Sequence, residues 1–234
     1  MSMKDRVLIS TALFLCAALV SGFGMVVQQE DRSGNDKNIT CVTNKEERME
    51  NRKIAITFDD GPDPVYTPQL LDGLKERGAK ASFFLMGKQA EAHPELVRRM
   101  QEEGHLIGNH TYSHIQLTKK NREAFKAELK KTNELLTGIT GEEVLFVRPP
   151  YGCWDKSLET ELTMLPVLWN IDPLDWSSTN VSGIVKKVTD KAKENAVILM
   201  HDEYASSVTA ALKIVDILQE EGYEFVTVDE LILN

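Results

Sequence analysis

Two short stretches of the sequence carry side chains that could bind a metal ion and activate water. "ITFDDGPDP" places Asp59 and Asp60 side by side at the end of an apolar run. "HTYSH" sets His110 and His114 four residues apart, so a helical turn there would place both imidazoles on one face. Two histidines and one aspartate would leave a tetrahedral zinc ion with an open position for water, while the other aspartate accepts a proton. The alternative interpretations are an Asp-Gly turn and two unrelated surface histidines.

Three further motifs could complete such a site. "RPPYG" contains Arg148, a cation that would fix the orientation of the free carboxylate and favour its charged form. The prolines and Gly152 would shape the backbone, so that an amide could face a developing oxyanion. In "DPLDW" and "LMHD", His201 could be a general acid whose tautomer is fixed by a carboxylate such as Asp175. The alternatives are a proline-rich turn and a partly buried structural histidine. Three side chains could wall a small apolar pocket: Tyr151, Trp176 and Leu199.

The candidate residues follow predicted strands. Short apolar runs alternate with amphipathic segments from Lys53 onward. The predicted strands are 53–58, 81–87, 105–110, 144–149, 167–172, 196–201 and 224–228, and the predicted helices are 67–77, 94–103, 122–136, 181–194 and 207–221. Glycine at positions 78, 104, 138 and 222 provides the stop signals. This alternation predicts an α/β fold with about seven parallel strands in a closed or nearly closed barrel, with a doubly wound open sheet as the alternative. In both folds the carboxyl ends of the strands share one functional rim.

Composition, net charge and cysteine spacing exclude some classes of function. The chain of 234 residues is 42% hydrophobic and 27% charged, which is typical of a globular protein with a sizeable core. Its net charge of −9 argues against a nucleic-acid partner, because phosphate binding depends on clustered basic side chains. No CxxC pair is present in the sequence, so a cysteine zinc site is not expected. Cys41 and Cys153 could pair in an oxidising compartment, but two free thiols are the preferred interpretation.

The N-terminal segment predicts that the rest of the chain lies outside the cytoplasm. Lys4 and Arg6 precede an uncharged apolar segment from Val7 to Val27, as in a signal peptide or a membrane anchor. Residues 28–52 are polar and aperiodic, and they are expected to form a flexible linker. The remaining residues, 53–234, would form the catalytic domain, which is either tethered to the membrane or released into the cell envelope.

The five motifs occur in an order that resembles one known family. "TFDDG", "HTYSH", "RPPYG", "DPLDW" and "ILMHD" are similar to the motifs of the NodB-homology polysaccharide deacetylases, carbohydrate esterase family four. The resemblance covers the chain from about Lys53 to the C-terminus. It implies a distorted (β/α) barrel of the NodB-homology type. It also implies metal-dependent removal of N-acetyl groups from an amino-sugar polymer, with one divalent ion, zinc by preference.

The resemblance also implies a role for each candidate residue. Asp59 would be the general base held by Arg148, and the metal ligands would be Asp60, His110 and His114. His201 would be the general acid, oriented by Asp175. The substrate contacts would be the backbone amide of Tyr151, for the oxyanion, and an acetyl pocket lined by Trp176 and Leu199.

The expected substrate is N-acetylglucosamine in peptidoglycan. Chitin or chitooligosaccharide is the second choice, and an O-acetylated polysaccharide is the third. A non-catalytic glycan-binding envelope protein is the rival from another class, and it would have no use for a complete set of acid, base and metal ligands.

Overall fold

Seven parallel strands build the core of the protein, whose computed structural model describes residues 52–232. The strands are β1 (Arg52–Asp59), β2 (Ser82–Leu85), β3 (Leu106–Asn109), β4 (Phe146–Val147), β5 (Leu165–Pro166), β6 (Val197–His201) and β7 (Tyr223–Phe225). Their order in the sheet is β5-β4-β3-β2-β1-β6, and β7 also pairs with β1. The sheet curls into a half-barrel, which confirms the expected α/β fold.

Helices cover the outside of the half-barrel. They are α1 (Tyr66–Glu76), α2 (Gly87–Ala92), α3 (Pro94–Glu102), α4 (Arg122–Thr140), α5 (Val181–Thr189), α6 (Ala205–Glu220) and α7 (Val228–Ile232). Helix α3 begins with Pro94, whose fixed φ suits the first helical position. Three 3-10 turns occupy loops between strands, at Pro150–Gly152, Lys156–Thr160 and Asp175–Ser177.

The two faces of β1 separate the outer core from the inside of the half-barrel. Ile54, Ile56 and Phe58 are fully buried in the cluster that also contains the apolar residues of α1 and α6. Ala55 belongs to a second, smaller cluster with Phe84, Phe146, Val167 and Val228. Because side chains alternate along a strand, Thr57 and Asp59 share the face of Ala55. The inner face of β1 therefore ends in a carboxylate.

Strand register brings three of the motifs next to one another. Asp59 pairs with His201 across β1 and β6. Asn109, which directly precedes His110, pairs with Val147, which directly precedes Arg148. The parallel strands therefore deliver these groups to one rim, at their carboxyl ends.

The predicted strand 167–172 is wrong. The strand in this region is β5, at Leu165–Pro166, and after it only Ile171 forms a single bridge, to Ile198 of β6. The carbonyl of Val167 accepts a hydrogen bond of 3.1 Å from Nε of Arg148, so a side chain occupies an acceptor that a regular ladder would use. The Ile171 bridge spans the open side of the half-barrel.

The predicted helix stop at Gly138 is also wrong. Helix α4 continues to Thr140, and Gly141 ends it in the left-handed conformation, with φ of 76°. Gly78, Gly104 and Gly222 do have positive φ after their helices. Gly138 and Gly141 both lie near the end of the same amphipathic stretch, so the sequence pattern does not show which of them ends the helix.

Three expectations fall on residues outside the described range. These are the signal peptide or anchor at 1–27, the linker at 28–52, apart from Arg52 in β1, and the pairing of Cys41. Cys153 is a half-buried free thiol. Within residues 52–232, the helices lack the combination of length and hydropathy that a bilayer-crossing helix needs.

A pair of glycine variants tests the end of α4. We expect Gly141→Ala to lower the free energy of unfolding by about 1–2 kcal/mol, because a Cβ disfavours the left-handed conformation. Gly138→Ala should raise the free energy of unfolding by up to about 1 kcal/mol, because alanine is the better helix former. In the described part of the chain, no atom lies within 4 Å of an added Cβ at either position, so packing does not confuse the comparison. Urea unfolding measures both values, and effects of the same sign would contradict this helix end.

Candidate metal centre and active site

Asp60, His110 and His114 converge at the rim. Oδ1 of Asp60 lies 3.4 Å from Nε2 of His110 and 3.5 Å from Nε2 of His114. One ligand atom from each residue lies within 4.8 Å of the other two. The three groups come from the loops after β1 and β3, which are far apart in the sequence.

The donor set fits a divalent ion such as zinc. Tetrahedral zinc with ligands at about 2.0–2.1 Å would separate two donor atoms by about 3.4 Å, close to the distances from Asp60. Oδ1 of Asp60 is buried and has no hydrogen-bond partner among residues 52–232, so it is available as a ligand. Nδ1 of His110 lies 2.6 Å from the carbonyl oxygen of Arg148. A carbonyl only accepts, so Nδ1 carries the proton and the lone pair of Nε2 is free for a metal.

The loop between His110 and His114 is not the helical turn that would have placed both imidazoles on one face. Thr111 and His114 both have φ of 62°, in the left-handed region. Asp60 has the same type of conformation, with φ of 75°. Non-glycine residues rarely adopt positive φ and need support from their surroundings. The two histidines meet Asp60 because the loop folds back on itself.

Two side chains hold this loop in place. Glu128 of α4 accepts hydrogen bonds from the amides of Tyr112 (3.2 Å) and Ser113 (2.9 Å) and from the Ser113 hydroxyl (2.6 Å). Oδ1 of Asn109 accepts the amide of Thr111 at 2.8 Å. Sequence reasoning missed both residues. Asn109 lies next to the histidine motif, whereas no signal in the sequence pairs Glu128 with a loop that precedes it by fourteen residues or more.

Arg148 holds the carboxylate of Asp59. Nη1 of Arg148 donates a 2.8 Å hydrogen bond to Oδ1 of Asp59, and both side chains are buried. The same nitrogen donates to Oγ1 of Thr57 at 2.6 Å, a second residue that sequence reasoning missed. Burial lowers the pKa of Arg148, and the charge of Asp59 opposes this effect. Oδ2 of Asp59 lies 3.9 Å from Nε2 of His110, so the free oxygen is close to the candidate metal ligands.

His201 and Asp175 form a second pair on the opposite side of Asp60. Nδ1 of His201 donates to Oδ1 of Asp175 at 2.9 Å, and the His201 amide donates to Oδ2 at 2.9 Å. Burial would lower the pKa of His201, but the hydrogen bond and charge of Asp175, together with Asp59 and Asp60, raise it to about 9. Nε2 of His201 lies 3.9 Å from Oδ2 of Asp60. A protonated nitrogen is therefore available at neutral pH beside Asp60.

Burial and the neighbouring charges favour an ionised Asp60 and a neutral His114, the forms that can bind a metal ion. Burial would raise the pKa of Asp60, but His110, His114 and His201 outweigh it and lower the pKa. Burial lowers the pKa of His114, and Asp60 opposes this effect only in part. An ionised carboxylate and a neutral imidazole are the states that metal coordination requires.

The three side chains expected to contact substrate lie around this cluster with different exposure. The ring of Tyr151 is 4.8 Å from that of His114, and 65% of Tyr151 is exposed. Leu199 is buried and lies two residues before His201, on the same face of β6. Trp176 is 56% exposed and directly follows Asp175.

Asp202 is a fully buried carboxyl that sequence reasoning also left without a role, although it belongs to the "LMHD" motif. Burial, assisted by the charges of Glu203 and Asp63, raises its pKa to about 7, and a hydrogen bond from Thr67 opposes the shift. Its position next to His201 was the available signal.

Comparison with known proteins identifies the family. The family model for polysaccharide deacetylases matches residues 46–167, just over half of the chain. The chain belongs to the polysaccharide deacetylase family, and the resemblance seen in the motifs is confirmed.

Three relatives illustrate the range of the family. The peptidoglycan-N-acetylmuramic acid deacetylase PdaC of Bacillus subtilis is 41% identical over 80% of this chain, which spans 40% of that protein's length. The solved PdaC structure matches with a TM-score of 0.76 and 38% identity, and the match covers 79% of this chain and 92% of that one. A peptidoglycan-N-acetylglucosamine deacetylase of Bacillus cereus is 40% identical over 76% of this chain and 68% of its own. A chitooligosaccharide deacetylase of Rhizobium leguminosarum bv. trifolii is 41% identical over 70% of this chain and 78% of its own length.

The His201–Asp175 pair can be tested in the metal-free protein. We expect Asp175→Asn to lower the pKa of His201, because the charge and the strong hydrogen bond are lost while burial remains. At about pH 8, His201 would then be neutral in the variant and protonated in the parent. An NMR titration of the histidine ring protons measures this change. Asp172→Asn is the matched control, because that carboxylate caps the Leu174 amide instead. Equal pKa values of His201 in both variants would contradict the assignment.

The support of the histidine loop by Glu128 can be tested through metal binding. We expect Glu128→Ala to raise the Kd for zinc about tenfold, because the loop that carries His114 loses three hydrogen bonds. Glu134→Ala is the control, since Glu134 lies on the same helix and pairs with the exposed Lys130. Competition with a chromogenic chelator measures the Kd. Equal Kd values for the two variants would show that Glu128 does not support the loop.

Proposed function

We propose that this protein is a metal-dependent deacetylase that hydrolyses N-acetyl groups of an amino-sugar polysaccharide, with zinc as the preferred ion. The observation that supports it best is the position of Asp59. Its Oδ1 is held by Arg148, while its Oδ2 lies 3.9 Å from Nε2 of His110, one of the three candidate ligands. A carboxylate with one fixed and one free oxygen is suited to accept a proton from a water that attacks beside the metal.

Each step of the reaction has a residue suited to it. When bound to Asp60, His110 and His114, the divalent ion supplies a Lewis acid for the acetamide carbonyl and acidifies water. Oδ2 of Asp59 accepts the proton of the attacking water as the C–O bond forms. The Tyr151 amide donates to the tetrahedral oxyanion. Nε2–H of His201 donates its proton to the departing nitrogen as the C–N bond breaks, so the products are acetate and a free amine.

The partners of the two candidate groups support these roles. Arg148 donates a hydrogen bond to one oxygen of Asp59 and leaves the other oxygen free to accept a proton, whereas Asp175 favours the protonated form of His201. An acid that begins with its proton can donate it to the leaving nitrogen.

We propose N-acetylglucosamine of peptidoglycan as the substrate and the cell envelope as the location. The Bacillus cereus relative carries that activity in its name. The uncharged segment from Val7 to Val27 would deliver the domain across the membrane as a cleaved signal or a retained anchor. Chitooligosaccharide is the second candidate, on the basis of the Rhizobium relative. An O-acetylated polysaccharide and a non-catalytic glycan-binding role are the remaining alternatives.

Acetate release from purified polymers tests the activity and its substrate. We expect the greatest release from peptidoglycan, less from chitooligosaccharide and least from acetylxylan. Asp59→Asn should lower kcat by at least about 100-fold, because the amide cannot accept the proton. Asp72→Asn is the control, since that carboxylate pairs with Arg99 on the surface. Normal turnover by Asp59→Asn would exclude Asp59 as the base.

Removal of the metal tests the cofactor. We expect a chelator to abolish acetate release and zinc to restore it, while His114→Ala should weaken zinc binding about 100-fold because it removes a ligand. Activity that is indifferent to the chelator would exclude metal-dependent hydrolysis. Binding of the glycan without acetate release, in the presence of zinc, would favour the non-catalytic alternative.

A further inference from the structure

Asp202 connects the strand that ends in His201 to the loop that carries Asp59 and Asp60. The Asp202 side chain is fully buried. Its Oδ2 accepts a short hydrogen bond from the hydroxyl of Thr67. Its Oδ1 has no hydrogen-bond partner within the described part of the chain. A buried carboxyl with an unpartnered oxygen costs free energy, and an apolar side chain of similar volume would avoid that cost.

The carboxyl lies directly against the loop. A Cβ added to Gly61 would overlap it, with only 2.7 Å to Cγ of Asp202, and the three nearest atoms all belong to this carboxyl. Gly61 directly follows Asp60. Its position therefore leaves no room for movement of the loop toward β6 while Asp202 is present.

A hydrogen-bonded chain fixes the far end of the same loop. Oγ1 of Thr67 accepts the amide of Asp63 at 2.8 Å and donates to Oδ2 of Asp202. One carboxyl thus holds the loop at Gly61 by contact and at Asp63 through Thr67. Asp60 directly precedes the first of these points and has the left-handed conformation, which persists only where the surroundings impose it.

We propose that Asp202 is a positioning residue that fixes the loop of residues 59–63 relative to His201. It touches neither substrate nor metal in this role. It keeps the base and the ligand Asp60 at their distances from the acid, across the register that already pairs Asp59 with His201. The proposal rests on the proposed function for its catalytic consequence, but the position of the loop can be measured without catalysis.

Three variants test the role of the carboxyl through zinc affinity and kinetics. We expect Asp202→Ala and Thr67→Val each to raise the Kd for zinc and to lower kcat by about tenfold or more, with KM changed less than about threefold. Asp202→Asn keeps the size and one acceptor oxygen, so it should stay within about threefold of the parent in both values. Leu218→Ala is the control for lost stability, because it opens a cavity in the last turn of α6. It should lower Tm without changing the Kd for zinc.

A double-mutant cycle tests the contact with Gly61. We expect Gly61→Ala to raise the Kd for zinc at least about tenfold, because its methyl group overlaps the carboxyl. In the Asp202→Ala background the same change should add less than about threefold. Purely additive effects would show that the contact does not fix the loop. If Gly61→Ala alone folds poorly, the Kd of the double variant compared with that of Asp202→Ala still tests the contact, because the double variant removes the overlap.

Amide exchange in the metal-free protein separates this proposal from the proposed function. The Asp63 amide is protected by its bond to Thr67, and Asp202→Ala should accelerate its hydrogen exchange at least about tenfold relative to Leu218→Ala. Unchanged exchange, together with a Kd for zinc equal to that of Leu218→Ala, would overturn the positioning role even in an active enzyme. Accelerated exchange in a parent protein that neither binds zinc nor releases acetate would retain the positioning role and overturn the function.

Discussion

The buried Arg148 connects more of the site than any one of its neighbours. Its guanidinium binds Asp59 and Thr57 on β1 and the carbonyl of Val167 after β5, and it stacks over the Phe84 ring of β2 at 4.1 Å. Its backbone carbonyl accepts from Nδ1 of His110. A fully desolvated cation needs its carboxylate partner, because an unpaired buried charge costs several kcal/mol, roughly 3–5. The inside of the half-barrel is therefore organised around one charged residue whose backbone also orients His110, a candidate metal ligand.

The two faces of the sheet differ in polarity, and the buried charge of Arg148 lies on the inner one. The inner cluster is small, and Arg148 lies where further apolar side chains would otherwise continue it. The outer core between sheet and helices is much larger and contains β1 residues such as Ile54, Ile56 and Phe58. The outer core supplies most of the apolar burial, so the inner face of β1 is free to end in Asp59. Stability and chemistry occupy opposite faces of the same strand.

The sequence predicted the features that depend on local pattern. It did not predict the features that depend on contacts between residues far apart in the sequence. Six of the seven predicted strands overlap an observed one, because each is a short buried run between polar segments. The run 167–172 has the same pattern, but the carbonyl of Val167 bonds to a side chain that arrives from another strand. The convergence of Asp60, His110 and His114 followed from their place after strands, whereas the backbone that achieves it did not. Positive φ at Thr111 and His114 depends on Asn109 and Glu128, and no spacing rule connects Glu128 to the loop.

Backbone conformation at the candidate metal ligands affects how the protein would respond to its environment. Asp60, Thr111 and His114 all have left-handed φ, and such residues cost about 1–3 kcal/mol each. Asp60 and His114 are two of the proposed metal ligands, so glycine at either position would relieve the strain only with loss of a donor atom. The total is comparable to much of the margin of about 5–15 kcal/mol by which domains are stable. An ion that binds only the folded chain would offset it by mass action, so heat resistance and resistance to proteolysis would rise and fall with the supply of free metal around the cell.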